Sequence, residues 1–309
     1  PLPAQGWARG RRPSALSAAL RAIVDEPLPA PRHWPVWSPQ GKFGEYRVLV
    51  AGDRATRERA YRLAQESYRH KGLTEAQGTA LCLCRFDSLP GTLTLLIEDA
   101  TGREVATVST VYDGPAGLPC DDIYSQEIGV LRARGCRVAE VTRLAIRAEA
   151  RQARHLLLQL FNFLYLFTRL VRGHGDLVIE VHPRHASYYR KLLLFRTLGA
   201  ERSCPRVAGA PAELLHLDLS IIEEAVKGSA PPASDRARYR QLYPYGRSEE
   251  REIARFLAAS HRPMSREEAS YFGLKAHAPE AVPAHPLEIV AAVAQPNQAV
   301  MAAANEQAR

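Results

Sequence analysis

The stretch Val138–Ile146, VAEVTRLAI, sets a carboxylate and a guanidinium three residues apart in what otherwise reads as an apolar strand. Both side chains are costly to bury unpaired, so either the strand has a wet end or its charges face a site. Side chains alternate along a regular strand, which sends Glu140 and Arg143 to opposite faces. A β-bulge between them brings both to one side, and bulges gather beside active sites. Without a bulge, one charge is catalytic and the other structural.

Outward from this strand the pattern is regular. On its N-terminal side, DDIYSQEIGVLRARG (121–135) predicts a short helix, and TLTLLIED (92–99) with VATVSTVYD (105–113) a β-hairpin. EYRVLVA (45–51) alternates as a strand, and Asp53 is placed to cap a helix through Arg69. On its C-terminal side come a long apolar helix over roughly 151–172, the strand DLVIEVH (176–182) and the helix HASYYRKLLLFRTL (185–198). Strands at about 201–208 and 212–219 close the unit. Strands separated by helices imply an α/β (α+β) fold with a mixed central sheet flanked by helices, parallel at its centre and hairpinned at its edges.

Three segments follow from composition. Residues 1–44 form a Pro/Arg-rich N-terminal extension, with one short helix around Leu16–Val24. Residues 45–220 form the α/β domain, and 221–309 a helical C-terminal appendage that starts with the linker KGSAPPASD (227–235). Ser265 and Glu268 in that appendage make a capping-box pattern.

A chain of 309 residues that is 46% hydrophobic can bury a sizeable core. The longest apolar run, Leu156–Val171, is too short to span a bilayer and carries Gln159, Asn162 and Arg169, so a buried helix is expected there. No secretory h-region stands in the first residues. The five cysteines, at 82, 84, 120, 136 and 204, include no CxxC, and no histidine pair has zinc-finger spacing. Reduced thiols, a cytoplasmic location and no metal are the expectation. The excess of 41 basic over 33 acidic residues gives +8, nearly all of it from arginine. A basic surface fits an acidic partner, although a high-GC coding sequence drifts to arginine without any binding role.

EVTRLAI (140–146) resembles the Glu-x-Ser/Thr-Arg strand of the acyl-homoserine-lactone (autoinducer) synthases. The wider run LPCDDIYSQEIGVLRARGCRVAEVTRLAI, then IEVHPRHASYYRKLLLF and GAPAELLHLDL, is more similar to the N-acyl amino acid synthases of the GNAT superfamily, typified by long-chain N-acyltyrosine synthase. The resemblance covers about 45–220 and is strongest over 118–219. The family usually has Asn at His182, Phe at Tyr188 and Gly at Leu194, so a different helix end is expected near Leu194.

The resemblance implies a GNAT-type acyltransferase fold and transfer of a long-chain fatty acyl group from a thioester to the α-amine of an amino acid or similar small amine. Glu140 is the candidate base and Tyr189 the candidate proton donor to the departing sulfur. A backbone N–H at Ala145 or Ile146 is placed to meet the developing oxyanion. Thr142, Arg143, Arg184 and His185 are substrate-binding candidates, with Arg143 equally readable as half of a structural ion pair. Asp121, Asp122 and Glu127 read as a solvated acidic helix face or as groups holding an amine.

Coenzyme A enzymes of this superfamily cradle the donor's pyrophosphate in a glycine-containing loop, where RAEARQARHLL (147–157) has no glycine. Five arginines against one glutamate between Arg147 and Arg172 instead suit acyl carrier protein, whose acyl-phosphopantetheine is then the donor substrate, with no bound cofactor. Arg147, Arg151 and Arg154 are the docking candidates, and snorkelling at the ends of a buried helix is the plainer reading of the same charges. A lipid product would also bring the enzyme into peripheral contact with membrane. No nucleic-acid partner is expected. The alternatives are an autoinducer synthase using S-adenosylmethionine and a catalytically silent GNAT-like module that binds an acidic partner.

Overall fold

Among the described residues eight strands build one sheet, and the position of its single parallel pairing sets up everything that follows. The computed structural model describes residues 36–37, 46–74, 81–150, 153–222 and 245–277. The strands are β1 (Val36–Trp37), β2 (Tyr46–Val50), β3 (Leu93–Asp99), β4 (Glu104–Tyr112), β5 (Val138–Ile146), β6 (Asp176–Val181), β7 (Arg196–Cys204) and β8 (Ala210–Asp218). Their order across the sheet is β1-β2-β3-β4-β5-β6-β8-β7. β5 and β6 pair in parallel and every other neighbouring pair is antiparallel. A parallel pair needs a crossover, which helix α3 (Ala153–Leu166) supplies.

Alternation along β5 and β6 divides the core. Ala139, Val141, Leu177 and Ile179 pack on the α3 side with Leu156, Leu160, Phe163 and Leu164. Val138 and Val178 face the other side, against Tyr124, Ile128 and Leu131 of α2 (Asp121–Ala133). Helix α1 (Arg54–His70) lies on that second side too, with Ala60 and Leu63 over Leu96. Asp53 caps α1 as expected, its Oδ1 accepting the Thr56 N–H at 2.9 Å.

Two ends differ from the sequence reading. Helix α4 (Pro183–Leu193) stops well before 198, because Leu194 adopts the left-handed conformation (φ 67°) that a glycine takes at such a cap. The helix end is therefore the one a glycine would make, and the strand begins at Arg196 rather than near 201. The long helix also changes character: α3 gives way to a π-turn over Phe167–Val171, where the Thr168 hydroxyl meets the Tyr112 phenol at 3.0 Å. In β7, Gly199 faces the Tyr124 ring, and a Cβ there would lie 2.6 Å from it.

Helices α5 (Arg247–Ser260) and α6 (Arg266–Tyr271) pack directly on the sheet's helices. Ile253, Ala254, Phe256 and Leu257 join the α3-side core. Phe272 sets its ring edge-on to Tyr61 of α1 at 5.6 Å, and buried Arg57 of α1 pairs with Glu268 at 2.6 Å. Ser265 and Glu268 form the expected capping box. Among the described residues no helix is long and apolar enough to cross a membrane. The helix expected at 16–24 and the linker at 227–235 lie outside the described residues.

Candidate active site

The ladder between β5 and β6 ends at Val141–Ile179, although β5 runs on to Ile146 and β6 to Val181. Past that point the two central strands turn unpaired edges toward each other. On its other edge β5 carries a bulge, the alternative that brings both charges to one face. Ser109 pairs with Thr142 and Thr107 with Ala145, so Val108 alone faces both Arg143 and Leu144. Arg143 takes a positive φ of 51°, and this turns its side chain to the face of Glu140 while Leu144 joins the α3-side core. The Arg147 N–H donates to Val105 O at 2.9 Å. Alternation therefore sends the Ile146 N–H to the opposite edge, into the gap, and leaves Ala145 bonded toward β4.

Glu140 is 1% exposed, and its Oε2 accepts the Cys120 N–H at 2.7 Å. Its partner on β6 is Val178, so Glu180 stands on the same face two residues further on. Arg206, in the 3-10 turn after β7, grips Oε2 of Glu180 and also donates to Pro119 O and to Asp122 at 3.1 Å. Burial, and after it the charge of Glu180, push the Glu140 carboxyl up to about 8, against the Cys120 hydrogen bonds and the Arg206 cation. Burial also raises Glu180, opposed by Arg206. Oε1 of Glu180 and the Thr142 hydroxyl are buried without hydrogen-bond partners among the described residues.

Arg143 binds both oxygens of Asp87 and donates to Cys82 O at 3.3 Å, with the Tyr61 ring 5.0 Å below its guanidinium. Both members of the pair are buried. Their chemistry is that of a desolvated ion pair, and the fork of Arg143 is committed to it.

Tyr189, on α4, packs edge-on against Phe161 at 6.1 Å and Phe195 at 6.2 Å. Burial pushes its phenol above the ordinary value, which makes it a weaker acid. Tyr68 near the end of α1 is raised too, and the fields of Cys82, Arg143, Tyr189 and Glu180 all reach it.

The other sequence candidates are dispersed. Arg184 and His185 are exposed in the first turn of α4, where the Arg184 Nε–H donates to His185 Nε2 at 3.1 Å. Arg147 is tied down by Glu104 O at 2.6 Å and Glu66 at 3.0 Å, whereas Arg154 is exposed. Arg151 lies outside the described residues. Asp121, Asp122 and Glu127 form no bare acidic face: they pair with Arg132, Arg206 and Arg202. Among the described residues no group of three His, Cys, Asp or Glu is placed to hold a metal.

Sequence reasoning did not single out Glu180, Arg206, Asp87 or Tyr68. Glu180 left a signal, since it is a second acid in the apolar run DLVIEV, in the strand after Glu140. Asp87 left none, because it is 56 residues from Arg143.

The family model described as N-acyl amino acid synthase FeeM matches residues 59–218. The solved structure of FeeM, an N-acyl amino acid synthase from uncultured soil microbes, is similar at 26% identity and a TM-score of 0.50, covering 57% of this chain and 90% of its own. The acyl-homoserine-lactone synthase LasI is more distant, at 13% identity and 0.44, over 56% of this chain and 90% of its own. An N-acetyltransferase from Staphylococcus aureus Mu50 matches at 11% and 0.38, over 57% and 98%. No curated protein matches the sequence significantly. The family match runs from α1 into β8 and takes in the opened strands with Glu140, Arg143, Glu180 and Tyr189. The chain belongs to the FeeM N-acyl amino acid synthase family and is an N-acyltransferase on a GNAT-like fold.

Proposed function

We propose that this enzyme moves a long-chain fatty acyl group from acyl carrier protein to the α-amine of an amino acid or similar small amine. The observation that carries the reading is the buried Glu140 carboxyl beside the gap where β5 and β6 part. An acyl thioester in that gap meets the Ile146 N–H, which suits the oxyanion formed as the amine attacks. Glu140 takes the amine's proton, the C–N bond forms, the C–S bond breaks, and the thiolate leaves with a proton from Tyr189. A thiol of pKa ~8.5 leaves readily, so Tyr189 assists rather than governs. Arg143 supports the site through its pair with Asp87, and Thr142 faces the acceptor.

The absence of glycine over 147–157 supports carrier protein over coenzyme A as donor. Arg154, with Arg151, is the docking candidate, and Arg147 contributes less because its guanidinium is engaged. On the α3 side, the Gln159 amide and the Thr110 hydroxyl are buried without hydrogen-bond partners among the described residues, which suits the amide-bearing arm of a phosphopantetheine. The test is mass spectrometry of organic extracts from an expressing bacterium. A lipidated amino acid, absent when Glu140→Gln is expressed, is the expected result. Native extracts without any new N-acyl amine would overturn the reading.

A further inference from the structure

Two buried polar atoms near Glu140 have no hydrogen-bond partner among the described residues, and they stand at one level. The β5–β6 register that ends at Val141–Ile179 would next have matched Thr142 with Glu180. The Thr142 hydroxyl and Oε1 of Glu180 are the two orphans, and both residues share the face of Glu140. The Glu180 side chain is only 13% exposed, so bulk water does not discharge the debt of an unmade hydrogen bond. Its other oxygen is already taken by Arg206, which favours the carboxylate form. Glu140, Oε1 of Glu180 and the Thr142 hydroxyl are together three acceptors, and a primary ammonium has three N–H donors.

Resting on the acyl-transfer reading above, we propose that Glu180 is a second catalytic carboxylate, whose Oε1 and the Thr142 hydroxyl hold the acceptor as a primary ammonium while Glu140 removes its proton. The first proton passes from the ammonium nitrogen to Glu140, which releases it to solvent, and the freed lone pair attacks the thioester carbon. As the C–N bond forms Glu140 takes the second N–H proton, the C–S bond breaks, and the thiolate leaves with the Tyr189 proton, which solvent restores. Glu180, whose carboxylate form Arg206 favours against the burial that raises it, keeps the nitrogen in place. The charged and titratable groups around Glu140 are Glu180 on β6, Cys120 before α2 and Arg206 after β7. Of these, Glu180 alone is an anion. Without it the repulsion that raises Glu140 is gone while the Arg206 cation, still paired with Asp122, remains, so Glu140 ionises at lower pH.

The test compares native enzyme, Glu180→Gln and Glu140→Gln with palmitoyl-carrier protein and the best acceptor from a panel of the twenty amino acids, alongside that acceptor's N-methyl form. In Glu180→Gln the acceptor KM rises about tenfold or more, the donor KM stays unchanged, and the acid limb of kcat/KM moves down by roughly one pH unit. Native enzyme prefers the primary amine to the N-methyl amine by at least about tenfold, and Glu180→Gln narrows that preference. An unchanged acceptor KM with an unmoved acid limb overturns the role of Glu180. If Glu140→Gln keeps the native rate, it is the base assignment that fails instead. Should Glu180→Gln not fold, Arg206→Gln serves: freed of its cation, Glu180 protonates more easily, and acceptor KM rises in the same direction. A native KM in that variant overturns the proposal equally.

Discussion

Glu140 is a buried carboxyl, and in the proposed mechanism its protonation decides when it acts as the base. Raised to about 8, it is mostly protonated at neutral pH, so kcat/KM should climb through that region as the base form appears. Initial rates from pH 6 to 10 with carrier-protein donor check this, and a flat profile would argue against a carboxyl base. Tyr189→Phe should lower kcat by roughly tenfold, short of the largest general-acid effects, because burial already makes the phenol a poor donor. Asp87→Asn leaves Arg143 charged and buried without its counter-ion, at a cost of about 3–5 kcal/mol read by chemical denaturation. Arg143→Met removes both the charge and its need for a partner, and should be milder.

At the scale of elements, β5 carries the fold and the site together. Its span was legible because the apolar alternation of VAEVTRLAI is strong, and the bulge was legible only as one of two alternatives, since two charges three apart share a face only with one. That the bulge sits at Arg143 depends on Val108 facing two residues, which no local pattern encodes. The end of α4 misled for a different reason. Leu194 fills a left-handed cap that a sequence reading assigns to glycine, so the helix read as running on to 198. Glu180 became a site residue only through the parallel register of β6 with β5, a pairing between segments separated by α3. Gly199 is an element-scale constraint as well: Gly199→Ala drives a methyl group into Tyr124 and should destabilise the fold by about 1–3 kcal/mol, measured by thermal melting.

For the whole molecule, two desolvated groups give stability opposite slopes with pH. Glu140 has a folded-state value above that of an unfolded glutamate, so its contribution is full below about 4.3 and is lost as pH rises through about 8. His261, at the end of α5, is partly buried with Nε2 bonded to Thr92 O at 3.1 Å, and desolvation depresses it to about 4. Its contribution is present above about 6.5 and is lost as pH falls through about 4. Melting temperature should therefore decline on both sides of mildly acidic pH. Glu140→Gln should flatten the alkaline side and His261→Gln the acid side, in differential scanning calorimetry. The acid limb ties the C-terminal helices to the sheet, since His261 joins α5 to the residue before β3. The sequence separated 221–309 by composition, whereas the burial of Ile253 and Leu257 against α3 is a long-range contact that composition does not report.

The central claim is that Glu140 drives acyl transfer to an amine from a donor held between β5 and β6. Its most direct test is a single-turnover reaction in which intact-protein mass spectrometry follows palmitoyl-carrier protein becoming free-thiol carrier protein in the presence of an amino-acid acceptor. The account predicts rapid discharge by native enzyme, and binding with discharge slowed at least ~100-fold by Glu140→Gln. Discharge by Glu140→Gln at the native rate would contradict it.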